Sequence, residues 1–289
     1  MRVLVTGAQG QLGRACIQAL TDAGHSPIGV DLPDGDLSIA GVAHQLLTAH
    51  EPASVLHCAA YTAVDRAESE RDLALAGNTT ATQLLAQACE AVGCELTYVS
   101  TDYVFAGDAE TGYPEDAVRR PINWYGETKA RAEEAVEELT VPWRIVRTSW
   151  LFGHGPANFV KTMRRLVAER SSLSVVDDQR GCPTYAPDLA TLLVRMLDVG
   201  ARGHFHGTNQ GVCTWYEFAR EIARLSGLAP ERIAPCTTAD FPTPAKRPSC
   251  SVLLETRLSD LGITPCPAWE DALARYVTWL DADEESASR

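Results

Sequence analysis

The apolar run Arg2–Thr6 (RVLVT) breaks at once into TGAQGQLG, with glycines at 7, 10 and 13. The run reads as a buried strand. Gln11–Ala23 carries Leu12, Ala15, Cys16, Ala19 and Leu20 at helical spacing and stops at Gly24, so it reads as a helix. Three glycines mean little alone, but between a strand and a helix each acquires a task. Gly7 permits a tight turn, Gly10 lets the backbone approach a pyrophosphate, and Gly13 allows close packing of helix on strand. The amides of Gln11 and Leu12 open the helix, where the dipole favours phosphate. A chain that starts this way is expected to continue as a parallel α/β sheet with a dinucleotide at its first turn.

The rest of the first half keeps that rhythm. Strands are predicted at His25–Val30, Ser54–His57, Cys94–Ser100 and Trp143–Arg147, and helices at Ile39–His50, Leu73–Ala91 and Asn123–Leu139. Alternation of this kind, with right-handed crossovers, gives a Rossmann-type doubly wound parallel sheet covered on both faces. Beyond about residue 150 the pattern changes. Helices are predicted at Phe159–Glu169, Ala186–Leu197, Trp215–Leu225 and Ala268–Leu280, and strands at Ser174–Val176 and Gly203–His206. Thr214 and Glu217 form a capping box ahead of the third of these helices. Pro230–Ser251 reads as loops and Glu284–Arg289 as a frayed polar tail. The expected division is 1–150 for the dinucleotide domain, with a helix from about 185–200 lent back to it, and 151–289 mainly for a smaller α/β C-terminal substrate domain.

Charge and cysteine usage narrow the partners. Lys plus Arg is 25 against 38 for Asp plus Glu, a formal net charge of −13. Such a surface disfavours nucleic acid and anionic membrane, and no apolar run reaches bilayer-spanning length. Nine cysteines at irregular spacing, without a CxxC pair, argue against a zinc site or disulfide framework. Cys58 and Cys89 read as buried small hydrophobes and Cys182 as packing. A cytoplasmic location is the expectation.

Asp31 ends the second strand, where a carboxylate can accept from the adenosine ribose hydroxyls and repel a 2′-phosphate. NADH is therefore expected ahead of NADPH. Asp36 and Leu37 are candidates for the adenine rim, and Ala59 and Ala60 are small enough to let the cofactor pass. Downstream, Tyr125 and Lys129 stand four apart on a predicted helix, hence on one face. Reduction of a ketone needs a proton on its oxygen. A phenol can deliver it, and a nearby ammonium lowers the phenol toward working pH. Lys129 is also suited to the nicotinamide ribose. Thr101, closing the fourth strand, can hold the same oxygen by its hydroxyl.

These segments resemble the extended short-chain dehydrogenase/reductases and, within them, the dTDP-4-dehydrorhamnose reductases. The resemblance runs through TGAQGQLG (6–13), AAYTAVDRAESE (59–70), STDYVFAG (100–107), YGETK (125–129), RTSWLFG (147–153), NFVKTMRRL (158–166), DDQRGCPTYAPDLA (177–190) and FPTPAKRP (241–248). It implies NAD(P)H-dependent reduction of the C4 ketone of a dTDP-linked 4-keto-6-deoxyhexose. Tyr125 is implied as proton donor, Lys129 as its partner and Thr101 as the residue tuning the pair. Gly10–Leu12, Asp31, Asp36, Leu37 and Ala60, Tyr61 and Thr62 are implied as dinucleotide contacts. Thr101, Asp102 and Trp150 are implied as substrate contacts, while Tyr103, Asn158 and Arg247 fall in segments that wall the sugar-nucleotide pocket. Arg247 beside Lys246 suits a diphosphate.

Other readings follow from single residues. A related 4,6-dehydratase uses an Asp-Glu pair after the threonine, whereas this chain has Thr101-Asp102-Tyr103. An epimerase keeps its cofactor bound and consumes none. A regulatory subunit of S-adenosylmethionine synthetase type, built on the same scaffold, needs no catalytic set. Asp65, Glu68 and Glu70 form an acidic cluster in a region that some relatives link with Mg²⁺ at a dimer contact. No metal is assigned here, and a homodimer stays open. His204 and His206, two apart on a strand, make no zinc site.

Overall fold

The sheet is built from the strands the apolar runs predict. In the computed structural model, which describes residues 1–155 and 158–287, six strands form it: β1 (Arg2–Thr6), β2 (Ser26–Val30), β3 (Ser54–His57), β4 (Glu95–Thr101), β5 (Trp143–Thr148) and β6 (Gly203–His206). Their order is β2-β1-β3-β4-β5-β6 and every pairing is parallel. All four residues of β3 and the last four of β1 are buried, as expected of strands covered on both faces. The chain leaves β1 toward β2 and returns to the other side of β1 for β3, so the topology reverses between β1 and β3. Ligands of open α/β sheets bind beyond the strand ends at such a reversal.

Two helical layers cover the sheet. Helices α1 (Gln11–Asp22), α2 (Val42–His50), α3 (Ala81–Val92) and α4 (Trp124–Glu137) come from the first half, and α5 (Phe159–Glu169), α6 (Ala186–Asp198), α7 (Trp215–Leu225) and α8 (Trp269–Ala287) from the second. On one face, Leu12, Cys16 and Leu20 of α1 pack with Leu189, Leu193 and Met196 of α6. On the other, Leu47, Leu85, Cys89 and Val136 of α2, α3 and α4 cover β1, β3 and β4. A second core holds Phe152, Phe218, Trp269 and Tyr276 between α5, α7 and α8. Two short strands, Leu173–Val176 and Ile233–Cys236, pair in parallel beside it. The fold is a Rossmann-like α/β sheet with an additional C-terminal α/β lobe. Among the described residues no helix is long and apolar enough to cross a membrane.

Several elements differ from expectation. The helix expected over 73–91 is interrupted: Arg71–Leu75 leads into a π turn, Ala76–Thr80, before α3 begins. Gly77, Asn78, Thr79 and Thr80 are weak helix formers, and Asn78 and Thr79 turn inward to buried partners. Ile233–Cys236 forms a strand inside the stretch expected to be loop, because a partner strand supplies its hydrogen bonds. Helix α8 continues through Glu284 to Ala287 where a frayed tail was expected; residues 288–289 of that tail lie outside the described residues. Helix α2 starts at Val42 because Gly41, at φ 89°, precedes it. All nine cysteines are free thiols, and Cys58 is only half-buried, since β3 ends just before it at the mouth of a cleft.

Candidate active site

The first turn has the shape its glycines allow. Gly7 sits at φ 64°, and a Cβ there would lie 2.8 Å from the Ala59 backbone. A Cβ on Gly13 would fall 2.1 Å from the Gly7 carbonyl oxygen. No side chain caps the start of α1 at Gly10, so its first-turn amides are open to an anion. The donor set and the cradle therefore fit a dinucleotide diphosphate.

From this turn a groove runs both ways along the strand ends. Toward β2, a hollow of about 280 Å³ is lined by Asp31, Asp36, Leu37 and Tyr61, and by no Lys or Arg among the described residues. The Asp31 carboxylate accepts the Gln9 N–H at 2.8 Å and the Leu32 N–H at 2.9 Å, so it is fixed in orientation. Toward β4 and β5, a cleft of about 590 Å³ brings together Gly7, Gly10, Gln11, Leu12, Gly13, Ala60 and Thr62. Its far end holds Thr101, Asp102, Tyr103, Tyr125, Lys129 and Trp150. A larger groove, about 870 Å³, lies between α3 and α4 and contains none of the expected site residues.

Tyr125 and Lys129 come from the first two turns of α4, which Asn123 starts by accepting the Gly126 N–H at 2.8 Å. Desolvation pushes the Tyr125 phenol up to about 12, the Thr101 hydroxyl pulling it back and the Asp102 charge adding to the rise. Lys129 is buried, which brings its ammonium down to about 7. It donates to the Val99 carbonyl at 2.8 Å and lies 4.2 Å over the Tyr98 ring. The expected lowering of the phenol by Lys129 is therefore not seen in the protein alone. Desolvation dominates, and Tyr125 keeps its proton at neutral pH. Thr101 donates to Asp102 Oδ1 at 2.9 Å and accepts the Tyr103 N–H at 3.2 Å. Asp102 itself is buried, which raises its carboxyl to about 7.

The outer wall is aromatic. Tyr103 meets Tyr125 edge-on, with centroids 6.0 Å apart. Trp150 has φ 47°, an unfavourable conformation for so bulky a residue. Its indole stacks on Trp215 at 3.6 Å and 10°. Gly181 lies so close to the same ring that a Cβ there would come within 2.5 Å of it. Trp215 also lines the cleft. It is the first residue of α7, and its sequence context shows only the preceding capping box. Asn158 and Arg247 are not among the residues lining either part of the groove. The Asn158 carboxamide caps α5 and donates to Gln11, Gly153 and Tyr276, all within 3.0 Å. Arg247 pairs with Asp65 at 2.9 Å and stands 6.0 Å from the Tyr103 ring centroid.

A buried polar network behind the cleft is silent in the sequence. Asn78 Oδ1 accepts the Tyr61 N–H at 2.8 Å and Nδ2 donates to the Tyr61 carbonyl at 3.2 Å. Nδ2 also donates to Thr128 Oγ1 at 3.0 Å, next to Lys129. Thr82 donates to the Asn78 carbonyl and bonds His57, which bonds Thr6 at 2.7 Å. Each member of the acidic cluster has a protein partner: Asp65 holds Arg247, Glu68 accepts the Trp124 N–H, and Glu70 accepts Tyr61 and Arg66. Among the described residues the group spaced to hold a cation is Glu133, Glu137 and His204. Its carboxylates already pair with Arg119 and Arg147.

Residues 1–281 match the family described as RmlD substrate binding domain. A dTDP-4-dehydrorhamnose reductase of Streptomyces griseus is 42% identical over 278 residues, spanning 94% of this chain and 91% of that protein. A dTDP-4-keto-6-deoxy-D-glucose reductase of Streptomyces niveus is 38% identical over 284 residues, spanning 98% and 99%. The solved structure of the dTDP-4-dehydrorhamnose reductase from Bacillus anthracis in complex with NADP superimposes with a TM-score of 0.92 at 40% identity, covering 95% of this chain and 98% of that one. With the family model spanning residues 1–281 and these relatives matched over more than nine-tenths of their length, this chain belongs to the dTDP-4-dehydrorhamnose reductase family of NAD(P)-dependent, extended short-chain dehydrogenase/reductase-type proteins.

Proposed function

We propose that the protein reduces the C4 ketone of dTDP-4-dehydro-L-rhamnose, giving dTDP-L-rhamnose, with NADH as the preferred donor. The observation that carries this reading is the meeting of Tyr125, Thr101 and Lys129 in one cleft that opens directly from the phosphate-binding turn. A bound nicotinamide supplies the hydride. The chain's own residues do the rest. Tyr125, still protonated at neutral pH, gives its proton to the oxygen of the ketone as that oxygen gains charge. Lys129 is held against β4 by the Val99 carbonyl, where it can anchor the nicotinamide ribose. The Trp150–Trp215 wall excludes water on the outer side and shapes the sugar site. The acidic rim of Asp31 and Asp36 supports NADH over NADPH.

The test is turnover of dTDP-4-dehydro-L-rhamnose by purified protein, followed as NADH oxidation with the product identified. Stoichiometric NADH loss is expected. Tyr125→Phe should lower kcat by about 10² or more with NADH affinity unchanged. Full turnover by that variant would remove Tyr125 as donor. Product formation without NADH loss would replace reduction by isomerisation.

A further inference from the structure

Two carboxamides meet where the phosphate-binding turn touches the C-terminal lobe. Asn158, just before α5, carries two hydrogens on Nδ2. Three acceptors lie within reach: Gln11 Oε1 at 3.0 Å, the Gly153 carbonyl at 2.9 Å and the Tyr276 hydroxyl at 2.9 Å. Tyr276, fully buried on α8, gives its own hydrogen to the Gly153 carbonyl at 2.6 Å. That carbonyl is thus served, and the two Nδ2 hydrogens go to Gln11 and to the Tyr276 oxygen. Asn158 Oδ1 is spent on the Lys161 N–H at 3.1 Å. The bond also orients Gln11. Its oxygen faces Asn158, which leaves both Nε2 hydrogens without a protein acceptor among the described residues, in a residue that lines the cleft beside the phosphate cradle.

The tie continues toward the sugar end. Phe159, next in the chain, packs on Trp215 with centroids 4.5 Å apart, and Trp215 stacks on Trp150 at 3.6 Å. Both indoles line the same cleft as Gln11. Asn158 lines neither part of the groove, yet it stands between the side chain at the phosphate turn and the aromatic wall.

We propose that Asn158 is a positioning residue that couples the two ligands: it holds Gln11 with Nε2 toward the dinucleotide diphosphate and holds the start of α5, from which Phe159, Trp215 and Trp150 are set, so that cofactor tightens the sugar nucleotide. The inference rests on the reductase reading above and goes beyond it. A diphosphate on the turn supplies the acceptor that Gln11 Nε2 lacks. The carboxamide is then fixed at both ends and Asn158 with it, so less freedom is left to lose when the sugar settles against the wall. Linkage makes the effect reciprocal, and the sugar nucleotide tightens NADH by the same factor.

Calorimetric titration of dTDP-L-rhamnose, with and without saturating NADH, reads this coupling without turnover, because product and reduced cofactor do not react together. In the intact protein NADH should lower the Kd of the sugar nucleotide about five- to tenfold. Asn158→Ser keeps a cap for α5 but cannot reach Gln11, and should bring that factor below about twofold while the sugar nucleotide still binds alone. Gln11→Met removes the other end of the same bond and leaves the Asn158 cap and its bond to Tyr276 in place. It should weaken NADH about two- to tenfold and lower the coupling to the same level. The double variant should lose no more coupling than either single one, since one bond is removed twice. A purely structural Asn158 would lower the urea midpoint of Asn158→Ser and leave Gln11→Met with its full coupling, and that result overturns the proposal. Independent binding of the two ligands in the intact protein also overturns it, while the reductase reading stands. If dTDP-L-rhamnose binds neither with NADH nor without it, both fall. Should Asn158→Ser fail to fold, Gln11→Met decides alone.

Discussion

Replacing Asp31 with Asn isolates the charge at the end of β2. In the structure the carboxylate cannot swing away from a nucleotide, because Gln9 and Leu32 hold its two oxygens through their amides. Asp36 lines the same hollow and, among the described residues, no Lys or Arg does. A 2′-phosphate brings close to two negative charges. At about 5 Å from Asp31 and an effective dielectric of about 40, it is repelled by roughly 3 kcal/mol. Salt screening and the open edge of the hollow reduce that to about 1.5 kcal/mol, or roughly tenfold. Asp31→Asn keeps the shape and one amide acceptor while removing the charge. The ratio of kcat/KM for NADPH to that for NADH should rise about tenfold, read from initial rates of cofactor oxidation. The rise should be larger in low salt than in half-molar salt, since only the charge term is screened. A ratio that moves less than twofold at low salt would refute the claim that Asp31 sets the preference.

Other substitutions test separate links. Thr128→Val strips Asn78 of one acceptor and loosens the tie between the Tyr61 segment and α4. It should lower kcat about tenfold or more, raise the deuterium isotope effect on hydride transfer, and be rescued by Thr128→Ser. An unchanged isotope effect would reduce that tie to ordinary packing. Trp215→Ala removes the indole that supports Trp150. It should raise KM for the sugar nucleotide by about two- to tenfold and leave the NADH dissociation constant alone, as titration of protein fluorescence would show. Glu137 is held near 2, below its ordinary carboxylate value, by His204 and Arg119. Its folded pKa is depressed, so the stability it adds is complete above about pH 4.5 and is lost as pH falls toward about 2. The gap in urea midpoint between the intact protein and Glu137→Gln should therefore shrink over that window; a constant gap would show that the charge is not what stabilises.

Much of the sheet was legible because a doubly covered parallel strand must be apolar almost throughout. β1 and β3 could be read to the residue, and β6 likewise from Gly203–His206. The helix 159–169 and the capping box at Thr214 also follow from local chemistry alone. The break in the helix over 73–91 was not legible. It depends on Asn78 finding Tyr61 and Thr128, partners 17 and 50 residues away. The same holds for Ile233–Cys236, whose strand exists because Leu173–Val176 is beside it. Tyr125, Lys129 and Thr101, which the cleft brings together, announce themselves by spacing and position, since reduction of a ketone beside a dinucleotide turn calls for groups of that kind. Trp215 does not, because an aromatic at the start of an amphipathic helix reads as core until the cleft is seen to reach it. Asn158 errs in the opposite sense. Its segment belongs beside the site, but its amide is consumed by capping α5 and binding Gln11, Gly153 and Tyr276.

The distance between the phosphate cradle and the phenol is then a property of side chains as well as of backbone. Thr6 ends the strand that delivers the glycine turn, and it is tied through His57, Thr82 and Asn78 to Tyr61 and Thr128. Each member of that chain from Thr6 to Thr128 is buried, Tyr61 lying partly exposed at its edge. Burial brings His57 down to about 3, so it stays neutral across the working range and the network carries no charge of its own to respond to pH. A fully satisfied neutral network in a low-dielectric interior is stiff, because every alternative arrangement leaves a donor or acceptor unmet. The groups that do titrate near neutrality, Asp102 and Lys129, sit on the cleft side of it. The cleft thus sets a frame that keeps its charge state at any working pH against a facing layer, Asp102 and Lys129, whose charge changes near neutrality. Thr128→Val should accordingly disturb hydride transfer without shifting the pH profile.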